Sequence, residues 1–188
     1  MIIKTIKSIT FWVVAIVAIF VILGVYKFNF NNTEDTSNPK SMLKDVKNLT
    51  YNVGGETFNL IGGIAVNEII PNSATKNTLS IFGEPVYGDL NGDGQKDAAI
   101  ILVNNPGGSG TFYYAVLAID GNGRYKATNA ILLGDRVAPQ TVEIHDGVAV
   151  FNYAERKAGE PMTTQPSIGK SLRVIYDVKT GKITEVIK

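Results

Sequence analysis

The chain has 188 residues, 45% of them hydrophobic, with a formal net charge of +1, a single His and no Cys. Near-neutral charge provides no field for nucleic acid, and the lack of Cys excludes disulfides, thiolate zinc sites, iron–sulfur clusters, Cys nucleophiles and a lipid-modified N-terminal Cys. The length suits one ordinary domain with appendages, and the charge is uneven: residues 1–50 hold six Lys and three acids, leaving twelve Lys/Arg against fourteen acids in residues 51–188.

Residues 1–8 carry Lys4 and Lys7, and residues 9–26 then run ITFWVVAIVAIFVILGVY without a charge. As a helix rising 1.5 Å per residue, this segment reaches about 27 Å, close to the hydrocarbon thickness of a bilayer. Trp12 and Tyr26 suit the two interfacial belts, and the amino terminus with Lys4 and Lys7 favours an N-inside orientation. The run exceeds the apolar core of a cleaved signal peptide, and Ile22 and Gly24 make a poor cleavage pair. An uncleaved single-pass anchor over 9–26 is therefore expected, with residues 1–8 cytoplasmic. Residues 27–48 are polar and rich in Asn, Thr and Ser, which predicts a flexible linker. Within it, Ser41 is placed to cap a short helix through Met42, Leu43 and Val46.

From Leu49 the pattern changes to short strands and turns, an extracytoplasmic β-rich domain over 49–188. Gly54-Gly55 separates two short runs as a hairpin. Ala98–Asn104 is a continuous apolar run, which predicts a strand buried on both faces. Thr111–Ile119 is its partner across the loop 105–110. Thr141–His145 and Val148–Tyr153 flank Asp146-Gly147, a strong hairpin signal. Ser171–Asp177 and Ile183–Ile187 form a last pair. About ten strands with frequent turns predict a mainly β, antiparallel sandwich or partly open barrel.

One motif carries chemistry. Asp89-Leu90-Asn91-Gly92-Asp93-Gly94-Gln95-Lys96-Asp97 places oxygen-bearing side chains at its first, third, fifth and ninth positions. Ca2+ takes six to eight oxygens, and a tight loop presents alternate residues inward. Asp89, Asn91 and Asp93 would supply side-chain oxygens, Gln95 its carbonyl and Asp97 a further carboxylate; Gly92 and Gly94 permit the positive φ of the turn. Three crowded carboxylates repel one another without a cation. It is not an EF-hand: the twelfth position is Ile100, and a strand follows.

GDLNGDGQKDAAII instead resembles the loop–strand units of FG-GAP/VCBS β-propeller repeats and, more loosely, the dockerin loop. That resemblance implies a structural calcium fixing a loop before a core strand. The loop occurs once, so a propeller is not implied. The segments GDLNGDGQKDAAIILVNNPGGSGTFYYAVLAI, NAILLGDRVAPQT and FNYAERKAGEPMTTQPSIGKS resemble a family of small exported or membrane-attached bacterial proteins without an assigned activity. This supports the location and the domain limits and transfers no catalytic residue.

Other motifs fail on inspection. Ser109 in PGGSGT lacks the second Gly of a nucleophile elbow, since Thr111 stands there. Gly169-Lys170-Ser171 lacks the first Gly of a P-loop, since Thr164 stands there. His145 sits beside a hairpin turn. The long segment Glu155–Lys170 reads either as a solvated loop whose Arg pairs with a neighbouring acid or as a functional one. In the second case Asp135, Arg136, Tyr153 and Arg156 are the candidate ligand contacts, an Arg there being suited to a carboxylate or phosphate. The expectation is a non-enzymatic module binding an envelope protein or glycan. The rivals are a cell-envelope hydrolase drawing paired carboxylates from Asp135, Glu155 and Glu160, and a structural subunit of a membrane assembly.

Overall fold

The computed structural model describes residues 45–71 and 74–187. The predicted anchor at 9–26 and the Ser41 cap lie outside these residues. Among the described residues no helix is long and apolar enough to cross a membrane.

The chain enters through a single 3-10 turn, Val46–Asn48, whose N-cap Asp45 accepts from Lys47 N at 2.8 Å. Val46 is fully buried, so residues 45–48, at the end of the predicted linker, are part of the fold. β1 (Thr50–Val53) and β2 (Glu56–Asn59) form the hairpin that Gly54-Gly55 predicts. Both glycines take positive φ, 60° and 85°, where a side chain would be strained.

A six-stranded antiparallel sheet follows: β3 (Ile64–Glu68), β4 (Lys76–Gly88), β5 (Asp97–Asn105), β6 (Phe112–Asp120), β7 (Tyr125–Ala127) and β8 (Ile131–Asp135), the last two pairing with opposite halves of β6. A second antiparallel sheet runs β9 (Ala138–His145), β10 (Val148–Glu155), β11 (Ile168–Asp177) and β12 (Lys182–Glu185). The sheets do not close into a barrel.

β5 sits at the centre. Asp97 through Leu102 are all buried, which is why its apolar residues run unbroken instead of alternating. One face of β5 and β6 (Ala99, Ile101, Ala115, Leu117) shares a core with Phe151, Leu172, Val174 and Ile183 of the four-stranded sheet. The opposite face (Ala98, Ile100, Leu102, Val116) packs beneath Val46, Tyr51, Val53 and Phe58 of the entry turn and first hairpin. Tyr51 is fully buried and its hydroxyl donates to Val46 O at 2.8 Å; burial pushes its titration far up.

β9 packs over the first of these faces, with Val142 and Ile144 against the shared core. It begins beside β8, where Val137 Cγ1 would lie 2.7 Å from a Cβ at Gly134, and ends with Ile144 seated on Gly88 of β4. The β4–β5 end nearest the 89–97 loop is thereby covered.

Candidate metal loop and braced loop end

The loop between β4 and β5 is built from side-chain-to-backbone hydrogen bonds. Asp89 accepts from Gly92 N at 2.7 Å and Gly94 N at 2.9 Å, Asn91 Oδ1 from Asp93 N at 2.9 Å, and Asp93 from Gln95 N at 2.7 Å. Gly92 and Gly94 take φ of 81° and 78°. The Gly94, Gly92 and other backbone amides hold the Asp89 carboxyl below the usual carboxylate range.

Asp97 behaves differently. It is fully buried, and its two oxygens accept from Leu90 N at 2.9 Å and from Asp120 N at 2.8 Å. One carboxylate thus closes the loop and ties β5 to the end of β6. Tyr125 adds a third tie, donating to Lys96 O at 2.9 Å; burial first, then the charges around it, push its hydroxyl up to about 12. Leu90 turns inward and joins the core between the sheets.

The donor chemistry fits a hard cation, since every side-chain group at the five positions offers oxygen. The charge distribution fits as well: the Asp97 carboxyl is pushed above the ordinary aspartate range, chiefly by burial and further by the charges of Asp93 and Asp89. Among the described residues no three carboxylates converge into a preformed cluster. A cation would therefore be held by Asp89, Asn91 and Asp93 with the Gln95 carbonyl, while Asp97 keeps lone pairs beyond the two amide bonds.

A second group of residues meets at the far end of β6. Thr111 is its hub: Thr111 N donates to Asp135 Oδ1 at 2.9 Å, Thr111 O accepts from Arg136 N at 2.6 Å, and its hydroxyl donates to Asn105 at 2.9 Å. Asp135 and Arg136 form a two-bond pair at 3.1 and 2.8 Å, and this hydrogen-bonded guanidinium holds the Asp135 carboxyl below its usual range. Arg136 takes φ 50°, the left-handed region that non-glycine residues avoid. Arg156 crosses from the long loop, donating to Arg136 O at 2.8 Å and to Thr164 O.

The structure thus brings together Asp135, Arg136 and Arg156, three of the four candidate contacts. Tyr153 lies apart on β10, opposite Pro139, and packs against the core between the sheets. The hydrolase acids are each engaged: Asp135 by Arg136, Glu155 by Lys170 at 3.2 Å, and Glu160 by Lys157 N at 3.0 Å. A carboxyl held ionised by an adjacent guanidinium suits an ion pair better than a general acid. His145 ends β9, exposed, with Nε2 3.2 Å from Glu143.

No family model matches the chain, and no curated protein or solved structure is similar to it.

Sequence reading missed Thr111, Asp120 and Tyr125. Only the Thr closing the glycine-rich segment NNPGGSGT carried a local signal, because a hydroxyl residue at a loop end commonly bonds back across it. Arg156 acts here as a buckle between two loops. Replacing it with Met, which keeps the stem and removes the donors, is expected to speed proteolysis within 157–167 several-fold while lowering global stability by under about 1.5 kcal/mol. Limited proteolysis alongside urea unfolding separates the two effects.

Proposed function

We propose that the chain is a membrane-tethered, extracytoplasmic β-sandwich module. It holds one Ca2+ in the 89–97 loop and contacts a protein or glycan of the cell envelope through the loop end carrying Asp135, Arg136 and Arg156. Residues 9–26 supply the membrane anchor, and nucleic acid is not a partner. The observation that carries the reading is the preorganised turn: Asp89, Asn91 and Asp93 are each fixed by backbone amides of the loop, whose two ends are tied by Asp97 to Leu90 N and Asp120 N. Such a loop binds a divalent cation with little ordering cost, because its turns already exist. The resemblance of GDLNGDGQKDAAII to calcium-loop repeats supports the same ion.

Calorimetric titration of the full chain in lipid nanodiscs tests it. One Ca2+ per chain is expected, with a rise in melting temperature of about 10 °C at a hundredfold excess over Kd. Asp93→Ala abolishes both. Equal heats from wild type and Asp93→Ala would remove the loop as the site.

A further inference from the structure

The face of the six-stranded sheet that packs on β9 and β10 is not wholly covered, and an open wedge of it stays exposed toward β3. Strand register puts Ile64, Ser80, Val103 and Tyr113 in one row on that face. Val66 lies two residues from Ile64 on the same side, and Ile61 bridges Ile64 directly. Phe82 lies edge-on to Tyr113, with ring centroids 5.5 Å apart. The exposures are those of a surface awaiting cover: Ile61 75%, Ile64 51%, Val66 56% and Phe82 41%. Thr78 and Ser80 of β4 lie beside Val66 and Ile64, so the apolar exposure is grouped along the β3 edge and at Phe82. Such a grouping marks a contact site, whereas isolated exposed residues do not.

Its position in the chain indicates what covers it. Gly63 N donates to Lys47 O at 2.7 Å and Gly62 N to Asn48 Oδ1 at 2.9 Å, so the segment entering the domain is stitched to the turn between Ile61 and Ile64. Residues 27–44 separate that entry from the apolar run at 9–26. Even fully extended, these eighteen residues reach at most about 65 Å. The rim carboxylates Glu84 and Glu68 are each paired, with Lys47 at 3.3 Å and Lys76 at 2.6 Å, which limits repulsion from anionic headgroups.

We infer that this open wedge is a membrane-contact surface, with Ile61, Ile64, Val66 and Phe82 seated in the interfacial layer of the bilayer that holds the chain. The inference rests on the anchor reading above. Contact is shallow. β3 is an edge strand, and hydrocarbon would leave outward-facing amides unpaired, whereas the interfacial layer retains water and headgroups to bond them. Lys47 and Lys76 lie at the two ends of the wedge, where long stems lie along apolar surface while their ammonium groups stay wet.

The chain has no Cys, so Ile61→Cys, Val66→Cys and, as control in the turn between β11 and β12, Lys179→Cys each give a single labelling site. The full-length variants, carrying an environment-sensitive fluorophore, are reconstituted into phosphatidylethanolamine–phosphatidylglycerol vesicles with brominated acyl chains. Expected is at least about twofold quenching at residues 61 and 66 and none at 179, in chains that co-float with the vesicles and resist carbonate extraction. Co-floating, extraction-resistant chains without quenching at 61 and 66 overturn membrane contact and leave the anchor standing. Chains that fail to float overturn the anchor, and the inference falls with it. Unquenched signal at 61 that blue-shifts with rising chain density assigns the wedge to a second copy and also overturns it.

Discussion

Asp97→Ala is expected to lower the stability of the calcium-free chain by about 2–4 kcal/mol, a large part of the roughly 5–15 kcal/mol that holds a typical domain. The substitution leaves Leu90 N and Asp120 N without their acceptor in a region closed to solvent. Orphaning a buried donor costs about 1–3 kcal/mol each. Removing the carboxylate also removes the cost of burying its charge, which keeps the loss toward the lower end at neutral pH. Asp97→Asn retains one acceptor oxygen and should cost about half as much.

The pH dependence has a definite sign. Burial raises the Asp97 carboxyl in the folded state, so the folded chain holds this proton more tightly than the unfolded one. The stability it contributes is present below the unfolded value, near pH 4, and is lost as pH rises through the raised folded value. Relative to Asp97→Asn, calcium-free wild type should lose stability on raising the pH through that window; the lowered carboxyls of Asp89 and Asp135 contribute in the opposite sense to both proteins and cancel in the difference. Saturating Ca2+ favours the ionised carboxylate and is expected to offset the loss. Urea unfolding across pH, with and without Ca2+, reads all of this. A cost below about 1 kcal/mol for Asp97→Ala would refute the bracing role.

The second large effect is Phe151→Ala, expected to cost about 3–5 kcal/mol. Phe151 is fully buried on β10 and reaches into the core shared by the two sheets. A cavity there has little means to collapse, because both walls are hydrogen-bonded sheets. The urea midpoint should fall with an unchanged slope. A loss under about 1 kcal/mol would mean that the sheets do not depend on each other at this point.

Much of the strand pattern was legible in the residues. The β5–β6 pair announced itself through two long apolar runs, and the hairpins through Gly54-Gly55 and Asp146-Gly147, whose turn chemistry is local. β4 was not read, because Gly83 and Pro85 interrupt it as a loop would. In the fold the strand continues through them by a register shift between Phe82 and Val86, with Gly83 at φ 69°. β3, β7 and β8 are short and escaped for want of periodicity.

The candidate metal loop was visible in its spacing. The direction of Asp97 was not, since its second partner, Asp120, lies 23 residues onward and is reached only through the pairing of β5 with β6. Asp135 and Arg136 could be named from sequence, but their meeting with Arg156 depends on two loops crossing, which no local pattern encodes.

Within each sheet the strands pair mostly with their immediate predecessors: β3 begins one and β4 through β7 follow in order, β9 begins the other and β10 through β12 follow, while β8 pairs back to β6. Loop closures along such a meander are short, so little chain entropy is lost before each new contact is rewarded, and the topology favours rapid assembly for an all-β protein. Strands added in chain order find their partner in the segment just before them. A chain emerging amino end first can therefore complete the six-stranded sheet before β9 arrives to lie across it.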